Sequence, residues 1–523
     1  MDSGPRQKQV ASQLKDEVRR EAPCRRKEHD SSKTDSLVSA TSETVDTSGK
    51  GGSDRLGASF EPISHDSALS STPLDSTVTT DGTEARTTSI QTTSLAHKGI
   101  SFRQSDTVLI LFYLEHVLPL LFPFYDPPFT DGGKGWILEL SMSSPIVRQA
   151  IIHQSSRFAS VMQHCDKGDY GPVPTQVGGA FEKLKQALQV ILGSDIGQHL
   201  RGATRIMMAI MQIRRAGIIT VSHADCREYL IHALDILTQL LECFRDAKEH
   251  GYASAFDAIL HALGPPLQLL PTTSTTVPSA EQSAFRFSSA LVIFDDIIAS
   301  TITGKKPALR DYHNALLDDI DPPLNLQPIV GCPSWVLFQI GGVAVLDAWK
   351  QQCKQEGDLD VMELVRRASV IQSALECRLL QREMNPPPLA HENDNHLPRI
   401  CAGTSSKSTV AIWQKHLCTS IWTHAGLLYL CIVVSGWQPT SRQIRHLVLQ
   451  ITELLTKSPL PPALLLSMTW PLCVADCLAE PLQQDSLRHL LAAVQPIGIC
   501  GTIRSALNIM ETMWRSRFSA DNP

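Results

Sequence analysis

None of the chain's 13 cysteines is spaced as Cys-x-x-Cys, and Cys24 stands alone before Cys165 in this 523-residue sequence. A paired-thiolate metal centre therefore cannot be assembled in the first third of the chain. The Gly-x-Ser-x-Gly elbow, the His-Glu-x-x-His helix and the Gly-x-Gly-x-x-Gly turn are also missing. Without those motifs enzymatic catalysis finds no support, and no catalytic, cofactor-binding or metal-ligating residue is assigned. Positive charge is not in excess, with a net charge of −6 and 19% charged residues. That excludes a nucleic-acid binder working through bulk cationic potential and leaves only local contacts. No stretch offers the roughly 18–20 unbroken apolar residues of a membrane helix. Residues 108–124 carry Glu115, His116 and Pro119, and residues 426–436 are too short.

Aromatic residues are nearly absent from residues 1–100, where Phe60 is the one example amid Ser, Thr, Gly and acids. Such a segment cannot bury enough apolar surface to offset its ordering entropy, so it is expected to be a disordered tail. Within it, Arg19-Arg20 and Arg25-Arg26-Lys27 form a basic knot. The knot reads first as a solvated charge run, with a nuclear import signal or an electrostatic arm as the alternative. Asp16, Glu17, Glu21 and Glu28 argue against a mitochondrial leader, since transit peptides are poor in acids. With no secretory pattern, no Asn-x-Ser/Thr acceptor and cysteines scattered singly, the expectation is a reducing, intracellular compartment with free, mostly buried thiols.

From Ser105 onward the pattern is helical. Ser105 or Asp106 can cap a helix carrying Val108, Leu111, Phe112, Val117 and Leu118, which Pro119 and Pro123 should end. A second helix opens with Ser144 as N-cap and Pro145 at its first position, with Val147, Ile151, Phe158 and Met162 on its apolar face. Phe181, Leu184, Leu188 and Ile191 mark another amphipathic helix, and residues 203–213 are apolar enough to sit deeper. Leu230, Leu234, Leu237, Leu241 and Phe244 make a heptad-like seam too short for a coiled coil, so packing within the molecule is expected. Later helices are expected over 284–301, 335–350, 360–382, 409–435, 441–457, 463–478, 487–494 and 502–517. The longest internal loop falls at 385–407. No strand-like alternation or fixed-period repeat is convincing. The fold class is all-α: a large multi-helix domain over 101–523, with a division into two lobes near 385–407 as one arrangement.

Four constellations deserve a chemical test. Gly132-Gly133-Lys134-Gly135 resembles a phosphate cradle, but no strand precedes it and Trp136 follows where Ser or Thr is needed. A turn that docks Trp136 is the better reading. Cys473 and Cys477 lie one helical turn apart without a second pair, and His391 and His396 sit in a polar loop with Glu392 and Asp394. Core thiols and a solvated loop are favoured over metal sites. Asp295-Asp296 point about 100° apart on a helix, so they do not share a substrate atom, and one of them is expected to cap or pair locally.

Several of these stretches also carry a family likeness. The series 112–119 (Phe-Tyr-Leu-Glu-His-Val-Leu-Pro), Phe122-Pro123-Phe124-Tyr125 and Gly132-Gly133-Lys134-Gly135-Trp136 resembles the start of the regulatory (middle homology) domain of fungal Zn2Cys6 zinc-cluster transcription factors. Gly331-Cys332-Pro333-Ser334-Trp335-Val336 with Leu346-Asp347-Ala348-Trp349-Lys350 is similar to its central helix. Ser435-Gly436-Trp437-Gln438-Pro439, Trp470-Pro471-Leu472-Cys473 and Ile509-Met510-Glu511 with Trp514 extend the likeness in order to the C-terminus. The resemblance implies an all-helical regulatory module joined to a six-cysteine zinc cluster that reads the major groove. One cysteine before residue 165 cannot build that cluster, and phosphate contacts from the basic knot would position the protein without specifying sequence.

The expectation is a nuclear transcriptional regulator of metabolic or secondary-metabolite genes. It would act through protein partners, either as a homodimer or paired with a DNA-binding relative, and meet DNA only indirectly or through a segment encoded upstream of Met1. The competing reading is a cytoplasmic helical receptor or scaffold with Trp335, Trp349, Trp422 and Trp437 lining an apolar pocket; packing of these four in the core is favoured.

Overall fold

A computed structural model describes residues 104–515, except 129–130, 166–177, 193–194, 218–222, 246–251, 269–275, 318–321, 385–409, 411, 458–459 and 494–505. The expected disordered tail, the basic knot and the loop at 385–407 lie outside the described residues, as does the side chain of Phe181.

Helix α1 (Gln104–Phe112) runs through one π-helical turn (Tyr113–Val117) into α2 (Leu118–Leu121). Pro119 therefore does not end the helix. It occupies the first turn of α2, where a missing N–H needs no partner, and the wide turn before it absorbs the change of register. The chain leaves the helix at Phe122 (φ −132°, ψ 66°), outside the α region that the residue before Pro123 avoids. Ser105 and Asp106, expected as caps, fall inside the first turn of α1.

There follow α3 (Gly135–Ser143), α4 (Pro145–Cys165), α5 (Gly178–Leu192), α6 (Leu200–Ala216), α7 (His223–Cys243) and α8 (Tyr252–Ala262). Ser144 is extended and its hydroxyl accepts from the Val147 N–H at 3.5 Å, with Pro145 opening α4 as its sequence requires. Met162, placed on the apolar face of α4 by its spacing, is exposed, whereas Val147, Ile151 and Phe158 are buried. In α7, Leu230, Leu237 and Leu241 are buried and Leu234 and Phe244 pack against the core, so the heptad-like seam is spent inside the molecule.

A two-residue antiparallel ribbon, β1 (Leu267–Gln268) and β2 (Thr276–Val277), departs from the strand-free expectation. Then come α9 (Ala280–Thr303), α10 (Arg310–Leu317), α11 (Gln327–Val330), α12 (Ser334–Glu356), α13 (Val361–Met384), α14 (Ile412–Ser435) and α15 (Arg442–Thr456). The single helix expected over 463–478 is two, α16 (Pro462–Ser467) and α17 (Thr469–Asp476), separated at Met468 (φ −107°, ψ 18°). Helix α18 (Pro481–Ala493) and a last helix α19 over 506–515 complete an all-α fold.

Helix α9 is the axis of the assembly. Its N-terminus carries a full capping box, Ser279 with Gln282, and its C-terminus closes on left-handed Gly304 (φ 63°). Helices α3, α6, α7 and α12 pack around it, α12 also packs on α13 and α14, and α14 carries α15 and α17. Gly426 lets α14 approach α12, since a Cβ there would stand 3.3 Å from Ile340 Cγ1. Helix α14 is long and apolar enough to cross a membrane, contrary to the count taken from 426–436, but 72% of its apolar window is buried inside the fold. Its apolarity is used in the core.

Candidate functional site

Phe287 and Phe294, seven residues apart on α9, lie on one face of that helix and collect the aromatic residues of distant segments. Around Phe287 stand Phe122 at 5.0 Å, Tyr125 at 4.9 Å and Trp136 at 5.5 Å between ring centroids. The Trp136 indole N–H donates to the Tyr125 hydroxyl at 2.7 Å, so the one polar atom of each ring is satisfied as the rings are buried. Around Phe294 stands Trp422 at 6.0 Å, which stacks on Trp470 at 5.5 Å and 8°, with Tyr429 edge-on to Trp470 at 5.9 Å. Trp470 in turn donates to Thr301 Oγ1 of α9 at 2.9 Å.

Arg215 joins the two groups. Its guanidinium lies 5.9 Å from the Phe122 ring centre and 5.8 Å from that of Phe294, a cation over two ring faces. Asp295 holds it there at 2.8 Å and also accepts from Arg214 Nη2 at 3.0 Å. The neighbouring Asp296 points elsewhere, accepting the N–H groups of Ala308 at 3.0 Å and Leu309 at 2.9 Å. Adjacent acids thus do two separate local jobs: one fixes α6 to α9, the other caps the turn into α10. Burial holds the Asp296 carboxyl above its ordinary range, partly opposed by these two N–H groups.

Gly331 closes the same region from the far side. It is left-handed (φ 78°), and a Cβ there would run into the Phe124 ring, so glycine is required both by backbone and by space. Beyond it, the Ser334 hydroxyl accepts from the Leu326 N–H at 3.0 Å and donates to the Leu324 carbonyl at 3.2 Å. Lys350, 7% exposed, donates to the carbonyls of Val433 at 2.5 Å and Val434 at 3.3 Å, placing a cation at the C-terminus of α14. Of the quoted family-like fragments, Phe122–Tyr125, Trp136 and Trp470 therefore meet in the aromatic groups along α9.

The glycine turn and the Cys473–Cys477 pair are placed by packing. Gly132 (φ 86°) and Gly133 (φ 56°) make a turn before α3, and Lys134 pairs with Asp126 at 3.6 Å, leaving Trp136 to dock. Cys473 and Cys477 are half-buried thiols, and burial pushes Cys473 up to about 12. Among the described residues no group of three or more His, Cys, Asp or Glu is placed to hold a metal. His391, His396, Glu392 and Asp394 lie outside the described residues. Trp422 is fully buried, Trp335 and Trp349 are half-buried beneath Arg378 at 5.7 Å and Arg367 at 4.2 Å, and Trp437 is 44% exposed, which corrects the expectation that all four are core. Sequence reading missed Phe287, Phe294, Arg214 and Arg215. The available signal was a pair of aromatics at i and i+7 in a buried helix.

Comparison with known proteins supplies the biological context. Residues 108–522 match the fungal specific transcription factor domain. The transcription factor dibT of Pestalotiopsis microspora is 31% identical over 435 residues, covering 79% of this chain and 67% of that protein. The pestheic acid cluster transcriptional regulator 3 of Pestalotiopsis fici is 23% identical, over 79% of this chain and 71% of that protein. The trichothecene biosynthesis transcription regulator TRI10 of Trichoderma arundinaceum is 22% identical, over 79% of this chain and 92% of that protein. No solved structure matches the chain. A match that starts in α1 and continues past α19, through every segment that builds the aromatic spine, makes this chain a member of the fungal specific transcription factor domain family.

Proposed function

We propose that the chain is a nuclear regulator of a secondary-metabolite gene cluster, acting through protein partners and contacting DNA indirectly. The observation that carries this reading is the family match over residues 108–522, together with relatives named as regulators of pestheic acid and trichothecene genes. The alignment covers 92% of the Trichoderma arundinaceum regulator, so that protein is built almost wholly of the region it shares with this chain. The first 164 residues of the sequence hold one cysteine, too few for a six-thiolate cluster, which supports DNA contact through a partner or through a segment encoded upstream of Met1. A homodimer, or a pair with a DNA-binding relative, supplies the contact instead.

Two measurements on the tagged full-length protein decide the matter. Expected are nuclear fluorescence and loss of transcripts from one biosynthetic gene cluster when the gene is deleted. Exclusion from the nucleus together with an unchanged transcriptome would sink the proposal.

A further inference from the structure

A solvent-open cleft of about 230 Å³ lies where α8, the β1–β2 ribbon and the first turns of α9 meet. Its floor is fixed by Gln282, which is 8% exposed. The Gln282 amide accepts from the Ser279 N–H at 2.9 Å and donates to the carbonyls of Leu260 at 2.8 Å and Gly264 at 2.9 Å. Both amide hydrogens are thereby used, and the residue ties the end of α8 to the start of α9 without offering a donor to a ligand. Leu260, Pro266 and Pro278 supply apolar wall. Asp257 and His261, one helical turn apart on α8, and Arg286 on α9 supply the polar groups.

Asp257 and Arg286 line the same cleft, yet neither is ion-paired with the other or with any described residue. A cation and an anion left apart in one cleft complement a molecule that carries both charges at a fixed separation. A simple anion would leave Asp257 facing like charge, and a simple cation would do the same to Arg286. We propose that this cleft binds a free amino acid, its carboxylate on the Arg286 guanidinium, its ammonium on Asp257 and its side chain against Leu260 and the two prolines. The volume falls below the roughly 300 Å³ at which drug-sized pockets begin, which suits an amino acid and not a nucleotide.

The test uses the purified full-length chain and does not depend on its role in transcription. L-amino acids are titrated singly by ligand-observed NMR, and the best binder is compared with its des-amino acid and its decarboxylated amine. Expected is saturable binding that weakens about tenfold or more in each truncated probe, and likewise in Arg286→Gln and Asp257→Asn, as loss of a charge-assisted hydrogen bond requires. Both side chains are exposed, so the melting temperatures of the variants should match that of the parent. The proposal fails if no amino acid binds saturably, if both variants bind as the parent does, or if the des-amino acid binds as tightly as the amino acid. The probe comparison in the parent chain decides even where a variant is perturbed.

Discussion

Asp476 is buried with neither carboxyl oxygen hydrogen-bonded, and burial alone holds its carboxyl well above the ordinary 3.8. A carboxyl whose folded value is raised binds its proton more tightly folded than unfolded. Its stability is fully present below the unfolded value and is lost as pH rises through the folded one. Asp476→Asn should therefore raise the urea midpoint at neutral pH and flatten its decline on the alkaline side; an unchanged profile would show the carboxyl to be solvated. His313 has the opposite sign. It is fully buried, and burial, with the Arg310 charge next, lowers it from 6.5 to about 3. Its contribution is complete above 6.5 and is lost as pH falls toward 3, so His313→Leu should flatten the acid limb of the same titration. Gly331 makes a steric prediction. Alanine there meets both the left-handed backbone and the Phe124 ring, and should cost about 3 kcal/mol in chemical denaturation, a loss partly relieved by a second change of Phe124→Ala.

The elements show where local signals were sufficient. Ser144-Pro145 marks a helix start and left-handed Gly304 a helix end, because caps and such glycines act within a few residues, whereas α12 runs past the expected end at 350 to Glu356 before left-handed Gly357 stops it. Pro119 misled for the same reason: proline forbids a helix interior but suits a first turn, and which applies depends on the π-helical turn before it. The break at Met468 has no sequence marker of its own. The pairing of α6 with α9 tests tertiary structure at this scale. Asp295→Asn would leave Arg214 and Arg215 without their shared acceptor in a half-closed site, where loss of one partner costs about 3 kcal/mol. Asp296→Asn should instead loosen the turn into α10, seen as faster amide exchange at Ala308 and Leu309.

At the scale of the whole molecule, the last described helix is anchored in the core by Met510 and Trp514. Trp514, 1% exposed, donates its indole N–H to the Asp476 carbonyl at 2.7 Å, and Arg488 covers its ring at 4.6 Å. Trp514→Ala should destabilise by about 3–5 kcal/mol, with early loss of protection in α19 and α17 by hydrogen exchange. The sequence alone determined the all-α class, most helix positions and the ordered set of fragments that identify the family, because helical periodicity, caps and short motifs are local properties of the chain. Tertiary structure alone decided that Phe122, Tyr125, Trp136, Trp422 and Trp470 gather along α9 through Phe287, Phe294 and Arg215. It also decided that α14 spends its apolarity in a core, and that Asp257 and Arg286 face one cleft unpaired. Each of these depends on which surfaces become neighbours when the helices pack, and periodicity specifies the buried face of a helix without naming what covers it.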